Sequence, residues 1–228
     1  MYAIAIDGPS ASGKGAISDK LSEILGILHL NSGALYRAVA HFAITNKLSF
    51  DNLDNIYQKL QTHTIDIDFK DGKQLTLLDG KDVTPYLYTS EASLGSAKVS
   101  KHSGIRSFVL EAQLKTAKTH SLVLEGRDIG SVVLPNAKYK FYLDANLEVR
   151  AERRLKDFIA RGEKLTYDDV KNMLKERDEA DFTRTVSPLV RVPEAIYIDS
   201  SYMTIDEVVD KILSCIEEYK WFLQFVLF

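Results

Sequence analysis

A chain of 228 residues with 45% apolar, 27% charged and 10% aromatic residues, 12 Gly and 5 Pro can bury a core without disulfides or a structural metal; such a composition excludes disordered and collagen-like classes. The formal net charge of -3 argues against a nucleic-acid binder held by bulk electrostatics, because counterion release needs a basic surface. A single Cys excludes an intramolecular disulfide and any Cys-based zinc or iron-sulfur site, and the five His are scattered without ligand spacing.

The first apolar run, from Tyr2 to Ile6, is broken at once by Asp7 and glycines, which does not suit a signal peptide. It predicts a strand, followed by a glycine-rich turn and a helix from Ala16 to Leu25. A second strand from Ile27 to Leu30 leads through Asn31-Ser32-Gly33 into a helix from about Ala34 to Thr45. Between Thr64 and Leu78 apolar and polar residues alternate around Asp71-Gly72, which predicts a β-hairpin, and Asp79-Gly80 suggests a third strand from Lys81 to Leu87. Further strands are expected from Ser121 to Leu124, Lys138 to Leu143 and Ala195 to Ile198, with helices from Glu148 to Ile159, Tyr167 to Glu179 and Ile205 to Tyr219. Short apolar runs alternating with helices predict an α/β fold, a parallel sheet covered on both faces, with an antiparallel insert at about residues 60 to 90. Cys215 is expected as a buried, inert thiol in the last helix. The apolar tail from Trp221 to Phe228 is too short to span a bilayer and is expected to dock on the body or on a second subunit. The expectation is a soluble, cytoplasmic chain without membrane or nucleic-acid partners.

Gly8-Pro9-Ser10-Ala11-Ser12-Gly13-Lys14-Gly15-Ala16 matches G-x-x-x-x-G-K between a predicted strand and helix. Small residues let backbone N–H groups turn inward around a phosphate, the helix N-terminus adds partial positive charge, and Lys14 can bridge phosphate oxygens. The usual Ser or Thr after the Lys is missing, so Mg²⁺ is expected on the nucleotide's phosphates and waters, helped by Ser12 or Glu125.

Four further clusters bear on the phosphoryl acceptor. Asn31-Ser32-Gly33-Ala34-Leu35-Tyr36-Arg37 places Ser32 near an N-cap and Arg37 in the following helix, where it can take a second phosphate. Glu125-Gly126-Arg127-Asp128 follows a strand, with Glu125 suited to steer Mg²⁺ through water and Arg127 to reach phosphate. Arg177, Asp181 and Arg184 are spaced to share a helix face, two guanidinium forks held by one carboxylate. Arg150, Arg153 and Arg154 with Lys156 can form the wall of a lid, or simply a solvated face.

Together these segments resemble the bacterial cytidylate kinases, P-loop nucleoside monophosphate kinases, over nearly the whole chain. The resemblance rests on the P-loop with Gly15 after Lys14, Ser-Gly-Ala-Leu-Tyr-Arg at 32 to 37, the 60 to 90 insert, Gly-Arg-Asp-Ile-Gly at 126 to 130, Arg-Asp-x-x-Asp-x-x-Arg at 177 to 184 and Ser-Pro-Leu at 187 to 189. It implies transfer of the γ-phosphoryl group of ATP to CMP or dCMP by a single P-loop kinase domain spanning 1–228. That domain would comprise a core at 1–59 and 91–228, a CMP-binding insert at about 60–90 and a helical lid at about 150–185. By the resemblance Gly8 to Ala16 and Arg153 hold ATP, and Lys14, Arg127, Arg177 and Arg184 are catalytic. Ser32, Tyr36, Arg37, Arg106, Arg127, Asp128 and Asp181 would bind the acceptor, Arg106 and Asp128 reading cytosine and Asp181 the ribose. A monomer is expected, with a dimer left open. Three residues depart from the family: Ala16 stands for Thr, Asn31 for Asp, and Ala97 for a Ser that contacts cytosine, with Ser96 one residue off. A UMP/CMP-type or adenylate-type kinase and an inactive nucleotide-binding module remain as alternatives.

Overall fold

A computed structural model of the protein describes residues 1–217 of the 228. The predicted apolar tail and the end of the last predicted helix lie outside the described residues.

The chain opens with β1 (Ala3–Asp7), α1 (Lys14–Leu25), β2 (Leu28–Asn31), α2 (Ser32–Thr45) and α3 (Leu53–Leu60). It continues through β3 (Ile65–Lys70), β4 (Lys73–Leu78), β5 (Lys81–Asp82), α4 (Ser90–Val99), α5 (Ser103–Ala117) and β6 (Leu122–Gly126). After β6 come β7 (Tyr139–Asp144), α6 (Leu147–Ala160), α7 (Tyr167–Thr183), β8 (Ile196–Asp199) and α8 (Ile205–Leu213). Among the described residues the strands form a five-stranded sheet of order β2-β6-β1-β7-β8, all of whose pairs are parallel, and a three-stranded antiparallel sheet β3-β4-β5.

The sequence of β1 shows why it lies at the centre. Ile4 and Ile6 point to one face, where they pack with Leu21 of α1 and Val209 of α8, while Ala5 points to the other, against Leu110 and Leu114 of α5. A strand apolar on both faces must be covered twice, so β1 reads as a continuous apolar run. A separate apolar cluster joins Leu35 and Phe42 of α2 to Ile56 of α3, Ile65 of β3 and Val99 of α4, fastening the antiparallel sheet to the body.

The third insert strand is shorter than expected. β5 stops at Asp82, and a single 3-10 turn, Thr84–Tyr86, follows with Pro85, which has no N–H to extend a ladder. Cys215 lies past the end of α8 and is half-buried rather than buried, its Sγ 3.3 Å from the carbonyl of Lys211. No helix among the described residues is long and apolar enough to cross a membrane.

The parallel sheet sends the segments after β1, β2, β6 and β7 out at the same carboxyl edge. In an open α/β sheet ligands bind at that edge, where the strand order reverses.

Candidate functional site

The turn from β1 into α1 wraps tightly. Gly8 has a φ of 150°, and a Cβ there would collide with the carbonyl oxygen of Leu143 on β7, so this position admits no side chain. Gly13, at φ 96°, caps α1, and Lys14 is its first residue. The Lys14 ammonium lies 2.6 Å from the carbonyl of Pro9 and 3.3 Å from Ser12 Oγ, inside the loop. Burial, and then the Arg127 guanidinium, lowers it to about 7. A Cβ on Gly15 would lie 3.4 Å from Glu125 Oε1, so the glycine after the Lys leaves room for a carboxylate from β6. Arg153 of α6 donates to the Ser200 carbonyl at 2.7 Å, and Ser200 Oγ lies 3.0 Å from the Ser12 carbonyl, tying α6 to the loop.

Opposite the loop stands a set of arginines. Asp181, on α7, lies 2.8 Å from Arg127 Nε, 3.3 Å from Arg184 Nη1 and 3.6 Å from Arg177 Nε. Its burial opposes ionisation, but the three guanidinium groups, Arg127 foremost, hold the carboxyl below its ordinary value. Arg184 is the C-cap of α7, already extended at ψ 140°, so it meets Asp181 from beyond the helix end rather than from the same face. Arg106 of α5 forms a buried ion pair with Asp128, donates to the Ser100 carbonyl at 3.1 Å and lies over the ring of Tyr36 at 5.4 Å. Burial lowers Arg37 to about 10, and its Nε and Nη1 have no partner; Arg177 Nε and Arg184 Nη2 likewise make no hydrogen bond. The P-loop, these arginines and Glu125 line one cavity of about 660 Å³. Buried guanidinium groups with spare donors demand an anion, and planar forks of this kind match phosphate oxygens.

The sequence profile described as cytidylate kinase matches residues 4–218. The cytidylate kinase of Caldicellulosiruptor bescii is 40% identical over 210 residues, 92% of this chain and 93% of that protein. That of Thermotoga maritima is 38% identical over 221 residues, covering 95% and 97%. The chain belongs to the cytidylate kinase family. Its fold is also similar to that of a solved structure of an uncharacterized protein from Eubacterium ventriosum, with a TM-score of 0.53, 15% identity and 95% and 99% of the two chains covered.

In this cytidylate kinase family member some expected placements shift. Asn31, not Ser32, caps α2, its side chain accepting from Ala34 N at 3.1 Å; Ser32 is the first helical residue and donates to the Glu125 carbonyl at 2.7 Å. Asn31 thereby performs the capping that an Asp would. Arg150 does not line a lid. It is buried, 2.7 Å from Asp178 of α7, and donates to the carbonyls of Ala145 and Ser10 at 2.8 and 3.2 Å. Arg154 does line the cavity, with its Nη2 3.3 Å from Ser93 Oγ. Ala97 is outside the cavity lining, whereas Ser100, one turn on, belongs to it, and Ser96 Oγ lies 3.5 Å from Arg177 Nη2.

Other side chains in and around the cavity carry no readable motif. Tyr88 lies near Arg37 and Arg161, whose guanidinium carbons stand 5.3 and 5.5 Å from its ring. Gln74 of β4 accepts from Asn31 N at 2.7 Å, linking the antiparallel sheet to the start of α2. His29 of β2 lies between Asp19 and Glu125; burial opposes its charge, but the hydrogen bond from Nδ1 to Asp19 and the Glu125 carboxylate 3.4 Å from Nε2 outweigh it and raise the imidazole to about 9. Glu125, whose burial alone would raise it, is held below its ordinary value chiefly by His29. A histidine paired with residues ten positions before and ninety-six after it has no linear signal at all.

Proposed function

We propose that this chain transfers the γ-phosphoryl group of ATP to CMP or dCMP, giving ADP and CDP or dCDP. The observation that carries the reading is the single cavity in which the P-loop faces Arg37, Arg177 and Arg184, each with a buried guanidinium nitrogen that makes no hydrogen bond. Gly8 to Ala16 and Arg153 hold ATP, with Lys14 on its phosphates. Arg37 takes the acceptor phosphate, Arg106 and Asp128 the base, and Asp181 the ribose, with Ser32 and Tyr36 completing the acceptor side. Arg127, Arg177 and Arg184 neutralise the charge that spreads over the transferring group. One acceptor phosphate oxygen bonds to the γ-phosphorus as the bond to the bridging oxygen breaks, and no side chain needs to be a strong base.

The residues present also fit Mg²⁺. Among the described residues no group of three metal-ligating side chains exists, and Ala16 has no hydroxyl; the cavity-lining carboxylate nearest Gly15 of the loop is Glu125, with Ser12 of the loop also in the lining. A cation that keeps several waters suits that donor set, with Glu125 acting through water. When bound, Mg²⁺ neutralises phosphate charge. We assign the acceptor-binding role to an insert at about 60–90 and the lid role to about 150–185. The reading has the chain working as a monomer in the cytoplasm.

The decisive assay is ADP release with Mg-ATP and each of CMP, dCMP, UMP, AMP and GMP, beside a control without acceptor. Turnover selective for CMP or dCMP is expected. Comparable UMP or AMP turnover would replace the acceptor assignment, and ATP binding without turnover would mark an inactive nucleotide-binding module.

A further inference from the structure

The pairing of Asp19, His29 and Glu125 joins three elements that separate stretches of sequence build. In the parallel register of β2 and β6, His29 lies opposite Val123 and Asn31 opposite Glu125, so the His29 and Glu125 side chains fall on one side of the sheet, two residues apart along the strands. Gly15 and Asp19 of α1 are four residues apart and share a helix face. That face lies against the pair: Gly15 is the position whose Cβ would meet Glu125 Oε1, and Asp19 Oδ1 is 2.6 Å from His29 Nδ1. His29 Nε2 lies 3.4 Å from the same Oε1 of Glu125. The side chains are 71%, 10% and 7% exposed in the order Asp19, His29, Glu125, so the chain of contacts runs from the surface to the wall of the cavity.

We propose that His29, oriented by Asp19, is a positioning residue that holds the Glu125 carboxylate where it meets the hydration shell of the nucleotide-bound cation. This rests on the reading of Glu125 given above. The physical need is specific to this chain. With Gly15 and Ala16 after Lys14, the P-loop offers the cation no hydroxyl at the start of α1, so more of the cation's placement falls on the Glu125 carboxylate beside Gly15 and on whatever orients that carboxylate. An imidazolium held at Nδ1 by Asp19 has its ring orientation set and presents a positive Nε2 to Glu125 at ion-pair distance, the kind of supporting contact that orients groups around metals. Asp19 does not line the cavity, and its side chain makes contact toward Glu125 through His29.

The test uses the full chain and measures the affinity of Mg²⁺ for the enzyme–ADP complex by calorimetry, together with the Mg²⁺ concentration giving half-maximal CMP phosphorylation. For His29→Gln both are expected to weaken about tenfold, in the range seen when groups behind metal-orienting residues are removed. Asp19→Ala, an exposed change that leaves the core alone, is expected to weaken both in the same direction and to recover wild-type kcat at saturating Mg²⁺. Adding His29→Gln to Glu125→Gln should weaken binding no further than Glu125→Gln alone. If Glu125→Gln weakens Mg²⁺ binding but neither Asp19→Ala nor His29→Gln does, the positioning role is overturned while the Glu125 assignment stands. If Glu125→Gln itself leaves Mg²⁺ affinity unchanged, the underlying assignment fails and the proposal falls with it. Should His29→Gln not fold, Asp19→Ala decides.

Discussion

Lys14 illustrates how much of the chemistry depends on the surroundings of one side chain. Its ammonium is lowered to about 7 because it is buried and faces Arg127, costs that the carboxylates of Glu125, Asp7 and Asp181 offset only in part. A phosphate anion beside it removes that penalty and drives the value back up. The sign follows directly: at about pH 8 the side chain is mostly neutral before nucleotide binds and protonated afterwards, so binding takes up a proton. Calorimetry of ADP binding in buffers of different ionisation heat should therefore show uptake approaching one proton near pH 8 and almost none near pH 6, and Lys14→Met should abolish it. The motif announces the Lys; the lowered value depends on burial and then on Arg127, which follows the neighbouring strand β6. The same holds for capping at α2, where Asn31 and Ser32 are both competent and only the direction of the chain out of β2 gives the cap to Asn31.

At the scale of elements, the antiparallel sheet does more than extend the surface. Gln74 accepts from Asn31 N at 2.7 Å, and its amide lies 3.2 Å from Thr76 Oγ1, so a side chain of β4 holds the turn that opens α2 and carries Tyr36 and Arg37. Gln74→Ala removes a hydrogen bond worth about 1 kcal/mol, which corresponds to roughly a fivefold rise in KM for CMP. KM for ATP should stay close to wild type, since β4 does not touch the P-loop; steady-state kinetics with each substrate varied in turn separates the two. The segment after β6 makes a similar point. Asp7 accepts from Ile129 N and Gly130 N at 2.8 and 2.7 Å, and the turn from Ile129 to Val133 winds wide as a π-helix. Nothing in Ile-Gly-Ser-Val-Val predicts that conformation, because the acceptor that holds it lies more than a hundred residues away. The helix α5 escapes a periodicity reading because it buries Arg106, Gln113 and Thr116 alongside Ile105 and Val109, which blurs its apolar stripe; α3, by contrast, carries Leu53, Ile56, Tyr57 and Leu60 at helical spacing, all packed on one apolar cluster, a stripe that is legible in the sequence.

For the molecule as a whole, α6 and α7 are coupled both to the P-loop and to the acceptor side. Arg150 pairs with Asp178 across the two helices and donates to Ser10, while Arg177 donates to the Ser93 carbonyl of α4 at 3.4 Å and Arg161 to the Tyr88 carbonyl at 3.1 Å. Removing one partner of a buried pair strands the other charge. Arg150→Met should destabilise the fold by about 3 to 5 kcal/mol. Arg150→Met combined with Asp178→Leu should recover most of that loss, as read by urea unfolding. A negligible effect of the single change would show Arg150 to be the solvated residue that its basic neighbourhood in the sequence suggests.

The amino-acid sequence by itself determined the elements whose signal is local: the strand, glycine loop and helix at the start, the Asp71-Gly72 hairpin, and the alternation of apolar runs and helices that requires a parallel sheet. It also carried the motifs whose order and spacing resemble the cytidylate kinases. Tertiary structure decided which charges meet across elements. Arg127 joins the Arg177, Asp181 and Arg184 set that the spacing already announced, Arg150 turns inward to Asp178, and His29 reaches Glu125, because strand register and helix packing bring together residues far apart along the chain. Backbone preferences act over a few residues and can be read in sequence. Electrostatic partnership depends on distance in space, so it exists only once the sheet has placed its carboxyl-end loops side by side.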